Sequence, residues 1–313
     1  MDRLNEIMLQ YVLKRRLFDI SDYSSIETMS KIILDSRVPN FRDKRKNRFG
    51  LTNSYKLAYE FFYSLDSEYA SYFVERANSG DIYLKYFKRN TENAYSFIGE
   101  DGRKKIYFPY GLDICDCFIL VHEMFHDMNL DLENSTLTRH LFTEYISFFG
   151  EYLFKDFIDN KYGIDFSISS KYTYNGCYMK AVSVHFQLTL VKKFLDKGYL
   201  DDYDIARIIN QYNPFYREML LSLYRQIYTN GDLCLEYDYR YVIAVLLSCH
   251  TRDLMKEKRY DVDLFKFLNE NINYLYPEEF YSMLDLDVVD ECNLDLSLGS
   301  YNRLRKSYCK YMR

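Results

Sequence analysis

Apolar residues recur at three- and four-residue intervals along most of the chain, the period of a helix face. Leu4, Ile7, Met8, Tyr11 and Val12 set such a face over residues 1–20. Tyr55, Ala58, Tyr59 and Phe62, then Tyr69, Tyr72 and Phe73, predict helix from 55 to 88. The texture changes at 94–98 (AYSFI) and 104–110 (KKIYFPY), which are short, aromatic and β-branched. They flank Gly99-Glu100-Asp101-Gly102, and Asp-Gly between two such runs predicts a hairpin. Helical spacing returns at 112 and persists nearly to 285, with breaks expected at 129–136, 159–170, 198–203, 212–214 and 229–234. Residues 36–54 are polar and basic and carry a Pro and a Gly, so they read as a solvated connector rather than a polyanion site. The expected division is residues 1–54, a helical segment and basic linker, and 55–313, a catalytic domain.

Composition supports a mostly α fold. Eleven Gly and four Pro in 313 residues leave few tight turns, which disfavours sandwiches and barrels. At 48% hydrophobic and 28% charged the chain can bury a core. A net charge of -5 leaves no basic excess to displace counterions, so no nucleic-acid partner is expected. No membrane partner is expected either, because no run of 18 uncharged apolar residues occurs. Charges interrupt the N-terminus every few residues, so it does not read as a signal peptide. Seven cysteines, odd in number, read as free thiols of a cytoplasmic protein. Cys115-x-Cys117 fits core filling better than metal ligation, because no second pair accompanies it.

Residues 118–128, FILVHEMFHDM, carry the chemistry: His122-Glu123-Met124-Phe125-His126 reads H-E-x-x-H. Positions i and i+4 share one helix face, so both imidazoles can reach one zinc ion, one per chain. Glu123 is then placed as general base toward a metal-bound water. Ile119, Val121, Met124, Phe125 and Met128 can bury this helix. A catalytic zinc takes three protein ligands, so a third is needed. The next helix, predicted after a Ser135 or Thr136 cap, offers Glu144 and Glu151 on one face. Glu144 suits ligation if that helix packs back antiparallel, and Glu151 suits orienting a ligand imidazole.

These stretches resemble the M3 metallopeptidases, in particular the oligoendopeptidase F branch. The likeness rests on His122-Glu123-Met124-Phe125-His126 and on Thr143-Glu144-Tyr145-Ile146-Ser147-Phe148-Phe149-Gly150-Glu151, against H-E-x-G-H and A-E-x-x-S-x-x-x-E. It extends through SLDSEYASYF at 64–73 and DLFKFLNENINYLYPEEFYSMLDLD at 263–287. The resemblance implies a helical zincin domain with one small β hairpin or sheet beside the zinc helix. It implies zinc ligands His122, His126 and Glu144, the base Glu123, and Glu151 behind a ligand. It also implies that Ala94, Tyr95, Ser96 and Tyr110 bind the substrate backbone along a sheet edge.

Three departures stand out. Phe125 replaces the family's Gly. Leu235 stands where the family has a His that donates to the oxyanion, leaving Tyr241 and then Tyr237, in LEYDYRYVIAV, as the donors to test against a simple core role. The family's members are longer, so this chain is expected to have a more open channel, a protein partner or a narrower task. His140, His185 and His250 read as structural. The expected function is zinc-dependent endopeptidase hydrolysis of short unfolded peptides. The alternatives are a catalytically weakened relative that holds a peptide or protein partner in its cleft, and a zinc hydrolase of a non-peptide amide.

Overall fold

The computed structural model describes residues 2–16, 22–35, 50–87, 93–130, 137–163, 167–257, 261–290 and 295–311. Most of the basic stretch 36–54, the turn 131–136 with Ser135 and Thr136, and Cys292 lie outside the described residues. In chain order the elements are α1 Asp2–Arg16, α2 Asp22–Leu34, α3 Leu51–Leu65, α4 Ser67–Asn78, β1 Ile82–Tyr86, β2 Tyr95–Ile98 and β3 Lys104–Tyr110. There follow α5 Cys115–Asn129, α6 Leu137–Tyr162, α7 Ser167–Lys197, α8 Asp202–Asn210, a 3₁₀ turn Pro214–Tyr216, α9 Arg217–Asn230 and α10 Leu235–Lys256. The chain closes with α11 Val262–Asn271, α12 Pro277–Met283, β4 Val288–Asp290, β5 Asp295–Leu296 and α13 Leu298–Tyr311. The fold is mostly helical with a small three-stranded sheet. Among the described residues no helix is long and apolar enough to cross a membrane.

The chain forms two compact units. One comprises Met1–Val38, Gly176–Ile243 and Tyr281–Arg313; the other comprises Pro39–Asn175 and Ala244–Phe280. In the first, Asn5 on α1 is hydrogen-bonded through its side chain to both backbone groups of Leu200, tying α1 to the turn before α8. Asp201 caps α8 by accepting from Asp204 N–H at 2.8 Å, and the Asp204 carboxylate reaches back to Asp201 N–H. Strands β4 and β5, after residue 285, pair antiparallel, with Val288 opposite Leu296.

The second unit holds the sheet, in the order β1-β3-β2. The hairpin expected at 94–110 is present: β2 pairs antiparallel with β3, with Tyr95 opposite Tyr107 and Ile98 opposite Lys104. Its turn places Gly102 at φ +74, where a side chain would be strained. The helix expected through 88 ends ten residues sooner. Gly80 takes φ +78 after α4, and the β-branched and aromatic run Ile82–Tyr86 joins β3 as a parallel strand. A parallel partner some 24 positions away leaves no mark in local periodicity. At the other boundary, residues 51–54 form the first turn of α3 rather than connector.

The inner face of the sheet is apolar, with Ile106 and Phe108 fully buried. Helix α5 packs beside β2 and β3, and α6 packs along α5. Phe125, in the middle of α5, sits in an aromatic cluster with Phe61, Phe62, Tyr69 and Phe265, at ring separations of 5.5–6.5 Å. A Cβ on Gly150 of α6 would collide with its ring. Helix α6 carries Phe142, Tyr145, Ile146, Phe149, Phe154 and Ile158, all fully buried. The C-terminal half of α10 seals it through Tyr145–Thr251 (2.9 Å) and Tyr152–Cys249 (3.6 Å).

Candidate metal centre

Helix α5 begins where Asp116, itself buried, accepts from the backbone N–H groups of Gly111 and Asp113 at 3.1 Å, gathering the orphan donors of the preceding turn. It ends where Lys104 Nζ donates to the Asp127 and Met128 carbonyls at 2.9 and 3.4 Å, a cation at a helix C-terminus. Arg76 from α4 grips Asp127 through two hydrogen bonds of 2.7 and 3.1 Å, and Tyr72 OH donates to the same carboxylate at 2.8 Å. Both ends of the helix are thereby fixed. Nothing in the sequence marked Arg76 and Asp127 as partners, since both are charged residues that would ordinarily face water.

Between these anchors His122 and His126 occupy one face of α5, with ring centroids 4.7 Å apart. Their Nε2 atoms lie 3.0 Å from each other. Glu144 Oε2 on α6 approaches them at 3.6 and 3.5 Å. Among the described residues these three side chains form the group whose donor atoms could hold a metal ion. The fit is chemical as well as geometric. Donor atoms about 2.0–2.2 Å from a tetrahedral ion stand about 3.3 Å from one another, close to the three separations here. Glu144 Oε2 is buried and has no hydrogen-bond partner, an anionic oxygen whose cost of burial a cation would offset. Two imidazole nitrogens and a carboxylate are the donor set of a catalytic zinc site.

The surroundings tune these groups. Glu151, two turns beyond Glu144 on α6, bonds to His122 Nδ1 at 2.7 Å. That bond holds a proton on Nδ1, so that once the ring is neutral it is the Nε2 lone pair that faces the donor set. The Phe148 ring packs edge-on against His122 at 4.8 Å. Burial disfavours a charged His122, but Glu144 and Glu151 outweigh it and hold its pKa well above the ordinary imidazole value. Burial likewise opposes charge on Glu144, yet His126 and His122 keep its pKa far below the usual carboxylate range.

Glu123 is buried on the next position of α5, and burial raises its pKa. Its carboxylate accepts from Ser96 Oγ of β2 at 3.0 Å. Of the other residues singled out for substrate, Ala94 precedes β2, Tyr95 is exposed on it, and Tyr110 ends β3 opposite Tyr86. Strand β2 is an edge: within the sheet β3 is its partner.

Tyr237, Tyr241 and Leu235 lie on the first turns of α10, in the other unit. Leu235 is fully buried. The two tyrosines are linked hydroxyl to hydroxyl at 3.1 Å, and Lys180 Nζ lies over both rings at 4.9 and 5.2 Å. Lys180 is held in turn by Asp238 at 2.6 Å. His185 pairs with Tyr212 OH at 2.8 Å, His250 is buried on α10, and His140 is exposed at the start of α6. Cys117, Cys177 and Cys249 are buried free thiols, and Cys115 is half-buried with its thiol pKa pushed up by burial. Comparison with protein-family models, curated proteins and solved structures returns no match.

Proposed function

We propose that the chain is a zinc-dependent endopeptidase acting on short unfolded peptides, with a helical zincin domain built on α5 and α6. The observation that carries this reading is the convergence of His122, His126 and a buried Glu144 oxygen that has no hydrogen bond, beside a buried Glu123. His122, His126 and Glu144 would hold one zinc ion. Bound there, zinc supplies Lewis acidity toward a peptide carbonyl and a water molecule.

The remaining work falls to the protein. Glu123, one residue from a ligand, takes a proton from the attacking water and passes it to the leaving amine. Glu151 keeps His122 in the tautomer that directs Nε2 at the ion. Phe148 and the apolar flank of α5 exclude water from the ligand side, which strengthens each electrostatic contact. The resemblance offers Tyr241, with Tyr237 after it, as the donor to the oxyanion, and the kinetics of the two Phe variants test that role.

One feature favours a second reading, a peptide-holding protein of weakened activity. The buried apolar Leu235 can donate no hydrogen bond where the resembling family has a His. Zinc content and cleavage of a quenched peptide library, wild type against Glu123→Gln, decide between them. The proposal expects about one zinc per chain in both proteins and cleavage by the wild type alone. Zinc binding without cleavage in the wild type supports the second reading, and a chain that takes no zinc refutes both.

A further inference from the structure

We propose that Ser96 is a positioning residue for the Glu123 carboxylate, joining the edge strand of the sheet to the general base. The inference rests on the hydrolase reading above, since it assigns a role within that reaction.

Successive side chains of a strand point to opposite faces. On β2, Tyr95 and Phe97 share one face, and their rings pack at 5.6 Å; with Tyr107, 5.2 Å from Tyr95, they form an aromatic surface. Ser96 and Ile98 take the other face, toward α5. Ser96 is opposite Ile106, which is fully buried, so an apolar side chain would be the ordinary choice at position 96. Instead a hydroxyl stands there. Its Oγ lies 3.0 Å from Glu123 Oε2 and 3.0 Å from the Glu123 carbonyl oxygen. The hydroxyl thus reaches both the main chain and the carboxylate of the same residue, which ties the Glu123 side chain to its own backbone and to β2. Glu123 is only 5% exposed, and a buried carboxylate without a donor is costly. The bond therefore selects one rotamer of Glu123 and pins it to β2 at the residue that carries the base. Misplacing a reacting group by about 1 Å can cost on the order of 100-fold in rate.

The test uses the zinc-loaded full chain and the peptide library. Ser96→Ala is expected to lower kcat about tenfold or more while KM stays within about twofold. Ser96→Thr, which restores a hydroxyl on a strand-favouring residue, is expected to recover most of the rate. Zinc content should stay near one per chain in both variants. A crystal structure of Ser96→Ala should show the Glu123 carboxylate in a changed rotamer. Undiminished kcat, a rise in KM with kcat kept, failure of Thr to rescue, or an unmoved Glu123 would each overturn the proposal while leaving the hydrolase reading intact. A wild type that binds zinc and cleaves nothing would remove both.

Discussion

The ring of Phe125 on α5 lies against the bare Cα of Gly150 on α6, so closely that no side chain fits between them. The large residue inside the H-E-x-x-H stretch is thus accommodated by a missing side chain on the next helix. Gly in a helix interior ordinarily loses about 0.5–1 kcal/mol against Ala, so Gly150→Ala would stabilise an exposed helix. Here it overpacks a core of fixed rings, which costs about 1–3 kcal/mol. We predict a net loss of about 1–2 kcal/mol for Gly150→Ala in denaturant unfolding. Phe125→Ala leaves a cavity and should cost about 3–5 kcal/mol. In the double variant the new Ala occupies part of that space, so the combined loss should fall short of the sum of the singles.

Glu144 and Glu151 share a face of α6 but do different work. Glu144 turns an oxygen that has no hydrogen bond toward the two Nε2 atoms at 3.6 and 3.5 Å, whereas Glu151 is already engaged by His122 Nδ1. Glu144→Ala should strip zinc at neutral pH. Glu151→Ala should weaken it about 10- to 100-fold, the usual loss when an orienting partner is removed. Metal analysis after dialysis against a graded chelator separates the two. Full occupancy in the Glu144 variant would move the third ligand elsewhere.

Metal uptake should release a proton. In the metal-free protein the two carboxylates hold His122 protonated to unusually high pH, against the effect of its burial. Ligation needs the neutral ring. Zinc affinity should therefore rise with pH through the raised pKa of His122. The metal-free fold should show the opposite dependence. The stabilisation from the charged ring is complete below the unfolded-state pKa, near 6.5, and is lost as pH rises through the raised folded value. Calorimetry of zinc binding at pH 7 in two buffers of different ionisation enthalpy should show about one proton released per chain. No release would mean that His122 is neutral before the metal arrives.

What sequence could reveal here tracks the range of each interaction. The spacing of His122 and His126, and of Tyr237 and Tyr241, is a property of one helix turn, and the rings of each pair do meet. The β2–β3 hairpin is announced by its own turn. Strand β1 is not, because its pairing with β3 closes over an intervening strand. The contact of Phe125 with Gly150 and the grip of Arg76 on Asp127 join different helices, and no local pattern specifies either. The division into two units is likewise illegible, since each is assembled from separated stretches of chain and α10 passes from one to the other.

The grip of Arg76 on Asp127 makes a stability prediction. Asp127 is fully buried one residue past His126, and Arg76 neutralises it while also bonding to Asp81 at 3.2 Å and the Lys104 carbonyl at 2.5 Å. Arg76→Met leaves a buried carboxylate without its cation and should cost about 3–5 kcal/mol. Arg76→Met with Asp127→Leu should cost less than Arg76→Met alone, because the stranded charge is gone. A double variant worse than the single would assign the stability to packing of the guanidinium rather than to the charge pair.

Attack of water on an amide leaves charge on the carbonyl oxygen, and losing one protein donor to that charge typically costs about 10²–10³ in rate. A phenol donates at neutral pH without needing to be protonated first. Tyr237 and Tyr241 are coupled through their hydroxyls, and Tyr237 is the more exposed member, 47% accessible. In such a pair one hydroxyl donates to the other, which keeps its own proton to give outward. If the role offered by the resemblance holds, Tyr241→Phe should lower kcat about 100-fold with KM unchanged, and Tyr237→Phe should have a smaller effect in the same direction. Lys180 holds both rings by cation–π contact, so Lys180→Met should reproduce part of the Tyr241→Phe loss by loosening the pair. If Tyr241→Phe and Tyr237→Phe both keep near-full activity, the donor is another group. If the wild type is also slow, the buried Leu235 becomes the better explanation, and the peptide-holding reading gains.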